Sequence, residues 1–154
     1  MTRHIFSAKA TIPTTMEKML AYHAHPRALQ RLTPLPVVVQ MIRDTRTSPQ
    51  AGEVEFVLWF GPIPTRWHVR HEAGPIETSF ADRMLSGPMK YWHHQHIFRE
   101  ADGGIALTDQ IEYEYLDKGF WALFGRAALA PVMLRILFAY RHWQTRRGTA
   151  IKSA

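Results

Sequence analysis

Two strand-like segments, residues 89–99 and 105–115, flank the pair Asp102-Gly103, and this constrains the fold more than any other feature of the chain. Asp-Gly between two alternating segments is a strong signal for a two-residue hairpin turn. A turn closed there sets Ala101 opposite Gly104. It then pairs Phe98 with Leu107, His96 with Asp109, His94 with Ile111 and Trp92 with Tyr113, all on one face. The other face carries Tyr91, His93, Gln95 and Arg99 against Thr108, Gln110, Glu112 and Glu114. One face is aromatic and apolar with a single histidine–aspartate pair, the other is polar, and the hairpin therefore has an inside and an outside.

The segments before this hairpin extend it into a meander. His4, Phe6, Ala8 and Ala10 share one parity and predict a first strand over 3–10, ended by Pro13. Thr14 or Thr15 caps a short helix with Met16, Met19 and Leu20 at helical spacing. Pro26 opens a second helical piece through Leu29 and Leu32, which Thr33-Pro34-Leu35-Pro36 stops. Strands are then expected from Val37, over 53–60, over 65–72 and over 76–84, separated by Gly/Pro turns. Val54, Phe56, Leu58 and Phe60 share one face, as do Trp67, Val69 and His71. Ile76, Thr78, Phe80, Asp82 and Met84 do the same in the next strand. Asp82 thus points inward near Lys90 or Trp92, and Lys90 or Arg66 is its expected partner, because an unpaired buried carboxylate is costly. Residues 120–144 read as one long helix, kinked at Pro131. A meander of this length must bury its inner face, and that helix is the only element large enough to cover it. The expected class is α+β, with one domain over 1–147 and a basic tail over 148–154.

Composition excludes several chemistries. There is no cysteine, which removes disulfides, thiolate metal sites and a cysteine nucleophile. Residues 1–9 lack the apolar run of a signal peptide, and a cytoplasmic location is expected. The apolar stretch 120–140 contains Arg126 and Arg135, each costing roughly 2.5–3.5 kcal/mol at a bilayer centre. It reads as a buried helix. The net charge of +6 is scattered, its one dense run lying at 141–152, where a helix C-terminus favours cations. No nucleic-acid motif accompanies it, and no nucleic-acid partner is expected. Neither a Gly-x-Ser-x-Gly context nor a glycine-rich phosphate loop occurs.

The order of elements carries a set of short words: Ile12-Pro13, Leu32-Thr33-Pro34, Arg66-Trp67, Gly87-Pro88, the run from Trp92 to Phe98, and Asp109-Gln110-Ile111-Glu112-Tyr113. Together they resemble the SRPBCC superfamily over nearly the whole chain. That group includes START lipid-transfer domains, polyketide cyclase/dehydratases and coenzyme Q-binding proteins. The resemblance implies a helix-grip fold, a β-α-α-β(6) curved antiparallel sheet wrapped around a long C-terminal helix. It also implies a cavity between sheet and helix for a hydrophobic or amphipathic small molecule. Met89 departs from the pattern, in which a large aromatic follows Gly-Pro.

Within that frame Trp67, Phe80, Trp92, Phe98, Tyr113, Phe124 and Phe138 are candidate cavity walls, since core and wall are one surface in such an architecture. His71, His94, His96 and Asp109 are the inward polar candidates. The His96–Asp109 pair is readable in three ways: a satisfied structural pair, a polar grip on a ligand, or a general base with its orienting carboxylate. A metal site from His94, His96 and His71 has no supporting spacing motif, and neither metal nor cofactor is expected. The expected function is binding or carriage of a lipid, quinone or polyketide-like molecule, without catalysis. The alternative is an aromatase/cyclase-type enzyme working in the same cavity. Transient contact with a membrane surface is a further expectation, and oligomeric state is left open.

Overall fold

The computed structural model describes residues 2–151 of the 154-residue chain, so residues 152–154 of the expected tail lie outside the described residues. The elements are β1 (His4–Ile12), α1 (Met16–Ala24), α2 (Ala28–Arg31), β2 (Val37–Asp44), β3 (Gly52–Phe60), β4 (Ile63–Ala73), β5 (Ser79–Ser86), β6 (Met89–Ala101), β7 (Gly104–Tyr115), α3 (Phe120–Ala128) and α4 (Pro131–Gly148). The seven strands make one antiparallel sheet ordered β1-β7-β6-β5-β4-β3-β2. From β2 to β7 each strand pairs with its successor. β1 instead joins β7, and α1 and α2 carry the chain from one sheet edge to the other.

The central hairpin has the register read from Asp102-Gly103: Ala101 faces Gly104, His96 faces Asp109 and Trp92 faces Tyr113. Register shifts at Met41/Arg43, His68/Val69 and Met89/Tyr91 interrupt the ladders. Such bulges bend the bulged strand and increase local twist, which curves the sheet around its inner face. Thr15 caps α1, its hydroxyl accepting from the Lys18 amide at 3.2 Å.

The C-terminal segment departs from expectation. It is two helices, α3 and α4, bent by 52°, and not one kinked helix. Pro131 opens α4, where its missing N–H costs nothing, and Ala130 before it is extended with ψ 153°. α3 lies at the end of the sheet, with Gly125 against Met89 and Tyr115. Closure of the inner face therefore falls to α4, whose Leu134 and Phe138 join the main apolar cluster with Phe56, Trp67, Trp92 and Ile111. A second cluster, Ile12, Met19, Phe80, Phe98, Ile105 and Leu107, sits where α1 covers the hairpin. No single helix among the described residues is long and apolar enough to cross a membrane. Gly148 ends α4 against the Tyr22 ring, and the Thr14 hydroxyl donates to the Thr149 carbonyl at 2.7 Å.

Candidate functional site

Three adjacent strands and α4 bring five ionisable side chains together between the two apolar clusters. Strand parity turns His94 and His96 of β6 inward, β5 places Asp82 opposite His94, and β7 places Asp109 opposite His96. α4 adds His142. Asp109 is the hub: its Oδ1 accepts from His94 Nε2 at 2.8 Å and lies 3.3 Å from His96 Nδ1, while its Oδ2 accepts from His142 Nε2 at 2.7 Å. His96 Nε2 donates to Asp82 Oδ2 at 2.8 Å, and His94 Nδ1 stands 3.9 Å from the same oxygen.

Two sequence expectations are corrected here. Asp82 pairs with His96, whereas Lys90 reaches Glu114 and Asp117, and Arg66 reaches Glu55 across the outer face. Register rather than proximity in sequence decides this, because β5 meets β6 beyond Trp92. His96 does face Asp109, yet the shorter bonds of Asp109 go to His94 and His142.

The electrostatics follow from burial opposed by pairing. For His96, burial works against the charged ring, but hydrogen bonds to Asp109 and Asp82 outweigh it and push the pKa up to about 9. For Asp82, burial opposes ionisation, yet the facing His94 and His96 hold the carboxyl below the usual range. Asp109 is likewise held well below it, with burial overcome by His142, His94 and His96. Burial and the neighbouring His96 lower the pKa of His94. Burial also lowers that of His71 and takes His23 down to about 4.

A cavity of about 150 Å³ opens beside this network under α2 and α4. Its apolar wall comes from α2 and its C-cap (Leu29, Leu32), β2 (Met41), β3 (Val54, Phe56, Leu58) and α4 (Leu137). Of the sequence candidates, Trp67, His71, Phe80, Trp92, His94, His96 and Phe138 line it. The structure places the other four elsewhere. Phe98 is wholly buried against His23 in the second cluster, and Tyr113 packs between His4 and Tyr115 under β1. Asp109 stands behind the two histidines, and Phe124 packs edge-on to Phe60 on the far side.

Sequence reading turned Asp82 inward without placing it in the cavity wall, and it missed three polar lining residues, His23, Arg46 and Arg141. His23 continues the spacing of Met16, Met19 and Leu20, and Arg141 continues that of Leu134 and Phe138, so helical periodicity carried a signal for both. Arg141 donates from Nε to the Leu32 carbonyl at 3.1 Å and lies 5.1 Å from the Phe138 ring centroid. Burial lowers its pKa. The Trp67 indole N–H is buried and has no hydrogen-bond partner among the described residues. Chemically, the site offers an apolar enclosure, a free donor, two guanidiniums, of which Arg46 is tied to Asp44, and a paired histidine–carboxylate wall.

No family model and no curated protein matches the sequence. Solved structures do resemble it. A START superfamily protein from Mycobacterium smegmatis matches with a TM-score of 0.68 at 7% identity, over 95% of this chain and 97% of that one. The Zhui aromatase/cyclase from Streptomyces sp. R1128 matches with 0.65 at 13% identity, over 96% and 92%. Major latex-like protein 151 from Panax ginseng matches with 0.69 at 10% identity, over 97% and 99%. Identities this low carry the fold and nothing finer. The chain has the helix-grip fold of START-like structures.

Proposed function

We propose that the chain binds a hydrophobic small molecule bearing an oxygen-containing polar group, held in the cavity beneath α4. The observation that carries this reading is the enclosed apolar wall ending on polar groups with unused hydrogen-bonding capacity: the Trp67 N–H and the Arg141 guanidinium. At about 150 Å³ the space is below the roughly 300–1,000 Å³ of pockets that take drug-sized ligands. It suits a compact ring system or one segment of a lipid, quinone or polyketide-like chain. Met41, Leu29 and Leu32 are the walls able to give way to a longer one. Affinity would come from burying apolar ligand surface, at about 25 cal/mol per Å² before ordering costs.

Displacement of an apolar fluorescent probe, together with native mass spectrometry for a co-purified molecule, tests the reading. Wild-type protein should bind the probe, and Leu137→Trp, which fills the cavity, should weaken binding at least tenfold without loss of helix or sheet signal. Equal probe binding by both proteins would place the probe elsewhere and remove the reading. Aromatase/cyclase-type chemistry is the second reading, favoured by one observation: His96 on the cavity wall, held toward its protonated form against burial by Asp109 and Asp82, as a proton donor requires. Conversion of a poly-β-ketone by wild type, lost in His96→Gln with probe binding retained, would favour catalysis over carriage.

Membrane contact belongs to the same proposal. Residues 120–148 contain no acidic residue and, besides the cavity-lining Arg141, four arginines, and Phe120, Leu123, Val132, Ile136 and Trp143 are exposed on α3 and α4. Apolar side chains with only positive charge among them suit an anionic lipid surface. Co-sedimentation with phosphatidylserine vesicles, absent with phosphatidylcholine alone and lost in Leu123→Glu/Ile136→Glu, is the expected result. Indifference to lipid charge would contradict it.

A further inference from the structure

We infer that Asp82, His94 and His96 form a site for one divalent transition-metal ion of the zinc or iron(II) kind, with a coordination position open to the cavity. Each residue offers one ligand atom, and the three atoms lie within 4.8 Å of one another. His96 Nε2 is 2.8 Å from Asp82 Oδ2, and His94 Nδ1 is 3.9 Å from it. Metal–ligand bonds of about 2.0–2.1 Å put neighbouring ligand atoms about 2.8–3.4 Å apart in octahedral or tetrahedral shells, within the span of those two separations. Small side-chain rotations therefore suffice, once the ion displaces the proton that His96 Nε2 donates to Asp82.

The orientation of the rings is the stronger argument. Asp109 can only accept, so the proton of the His94 ring lies on Nε2, and Nδ1 turns its lone pair toward Asp82 Oδ2. Two electron-rich atoms thus face each other across a gap that a cation would fill. Behind them, Asp109 Oδ1 contacts both His94 Nε2 and His96 Nδ1, the ring atoms opposite the proposed ligating ones. Asp109 is held in turn by His142. A carboxylate backing the far nitrogen of each ligating histidine is the usual outer support of a metal site. The three ligands stand on paired strands β5 and β6, which fix their spacing.

The donor set selects the metal class. Two imidazoles and one carboxylate, with no thiolate, suit zinc or iron(II), whereas calcium and magnesium prefer an all-oxygen shell. Three protein ligands leave at least one position vacant. All three residues line the cavity, so that position faces whatever the cavity holds. The bound ion would act as an electrophile toward a carbonyl, hydroxyl or carboxylate oxygen.

Chelator-treated full-length protein titrated with Co²⁺ alone tests the site. One equivalent should bind with visible d–d absorption, displaced by Zn²⁺ and not by Mg²⁺. Asp82→Asn and His96→Gln should each weaken Co²⁺ binding at least 100-fold, and Asp109→Asn by 10–100-fold. His25→Gln, outside the cavity lining, should leave it unchanged. Absence of stoichiometric uptake by wild type overturns the inference, as does uptake that Asp82→Asn and His96→Gln both retain. Should those variants fail to fold, Co²⁺-induced NMR shifts of the wild-type histidine ring protons decide. Shifts on His94 and His96 support the site, and shifts confined to other histidines overturn it.

Discussion

A carboxylate withdrawn from water is stable only when its lone pairs are filled, and Asp109 fills them from three rings. Removing it strands three ring N–H groups at once, whereas removing His96 leaves Asp109 with two partners and Asp82 with one lost bond. Asp109→Leu should therefore cost about 3–5 kcal/mol and His96→Ala about 1–3 kcal/mol. Urea unfolding of both variants checks the order, and equal losses would show that Asp109 is not the hub. His23 argues in the opposite direction. Its ring donates to the Met19 carbonyl at 2.9 Å, and burial drops its pKa from 6.5 to about 4. The unfolded chain thus takes up that proton first, and stability falls as pH drops through 6.5 toward 4. At about 1.36 kcal/mol per pKa unit, the loss is on the order of 3 kcal/mol. His23→Leu should flatten the fall in urea midpoint between pH 7 and 4.5. A slope identical to wild type would mean that His23 is solvated.

At the scale of elements, the turn of the central hairpin separates two adjacent glycines. Gly103, at φ 87°, has open space where a side chain would stand. Gly104, at φ 143°, lies against the Ile12 carbonyl, so a methyl group there would collide with the end of β1. Gly103→Ala should cost about 1–2 kcal/mol from left-handed backbone alone. Gly104→Ala should exceed about 3 kcal/mol, because strain and collision combine; thermal unfolding that ranks them equally would refute the close approach. The same hairpin shows why some elements were legible in the sequence. Period-2 alternation and one turn signal specify a register, so the facing of His96 and Asp109 could be read directly. Asp82 could not be placed that way, since its neighbour depends on how β5 enters β6 after Ser86-Gly87-Pro88. The break at Pro131 was underread because Leu, Ala and Arg on both sides favour helix, and the pattern alone does not say whether a proline bends a helix or begins a new one. Arg141 and His142 needed α4 seated on the sheet, a tertiary fact with no local signature beyond spacing.

At the scale of the whole molecule, β1 lies beside β7 although nearly the entire chain runs between them, with His4 opposite Tyr113 and Ile12 opposite Ile105. Every other strand pair closes a short loop. Loop-closure entropy and contact order make the β1–β7 ladder the slow, late event of folding. Until it forms, β7 presents an unpaired edge, the usual entry to misassembly. Phe6, which packs on Phe138, belongs to that late stage, and Val69 belongs to the meander. Phe6→Ala should accelerate unfolding and leave refolding nearly unchanged, while Val69→Ala should slow refolding, as stopped-flow chevrons would show. The reverse pattern would put β1 in the folding nucleus. A chain synthesised from its N-terminus thus makes β1 first and must hold it unpartnered until the meander is complete, so the earliest strand made is the last to find its place.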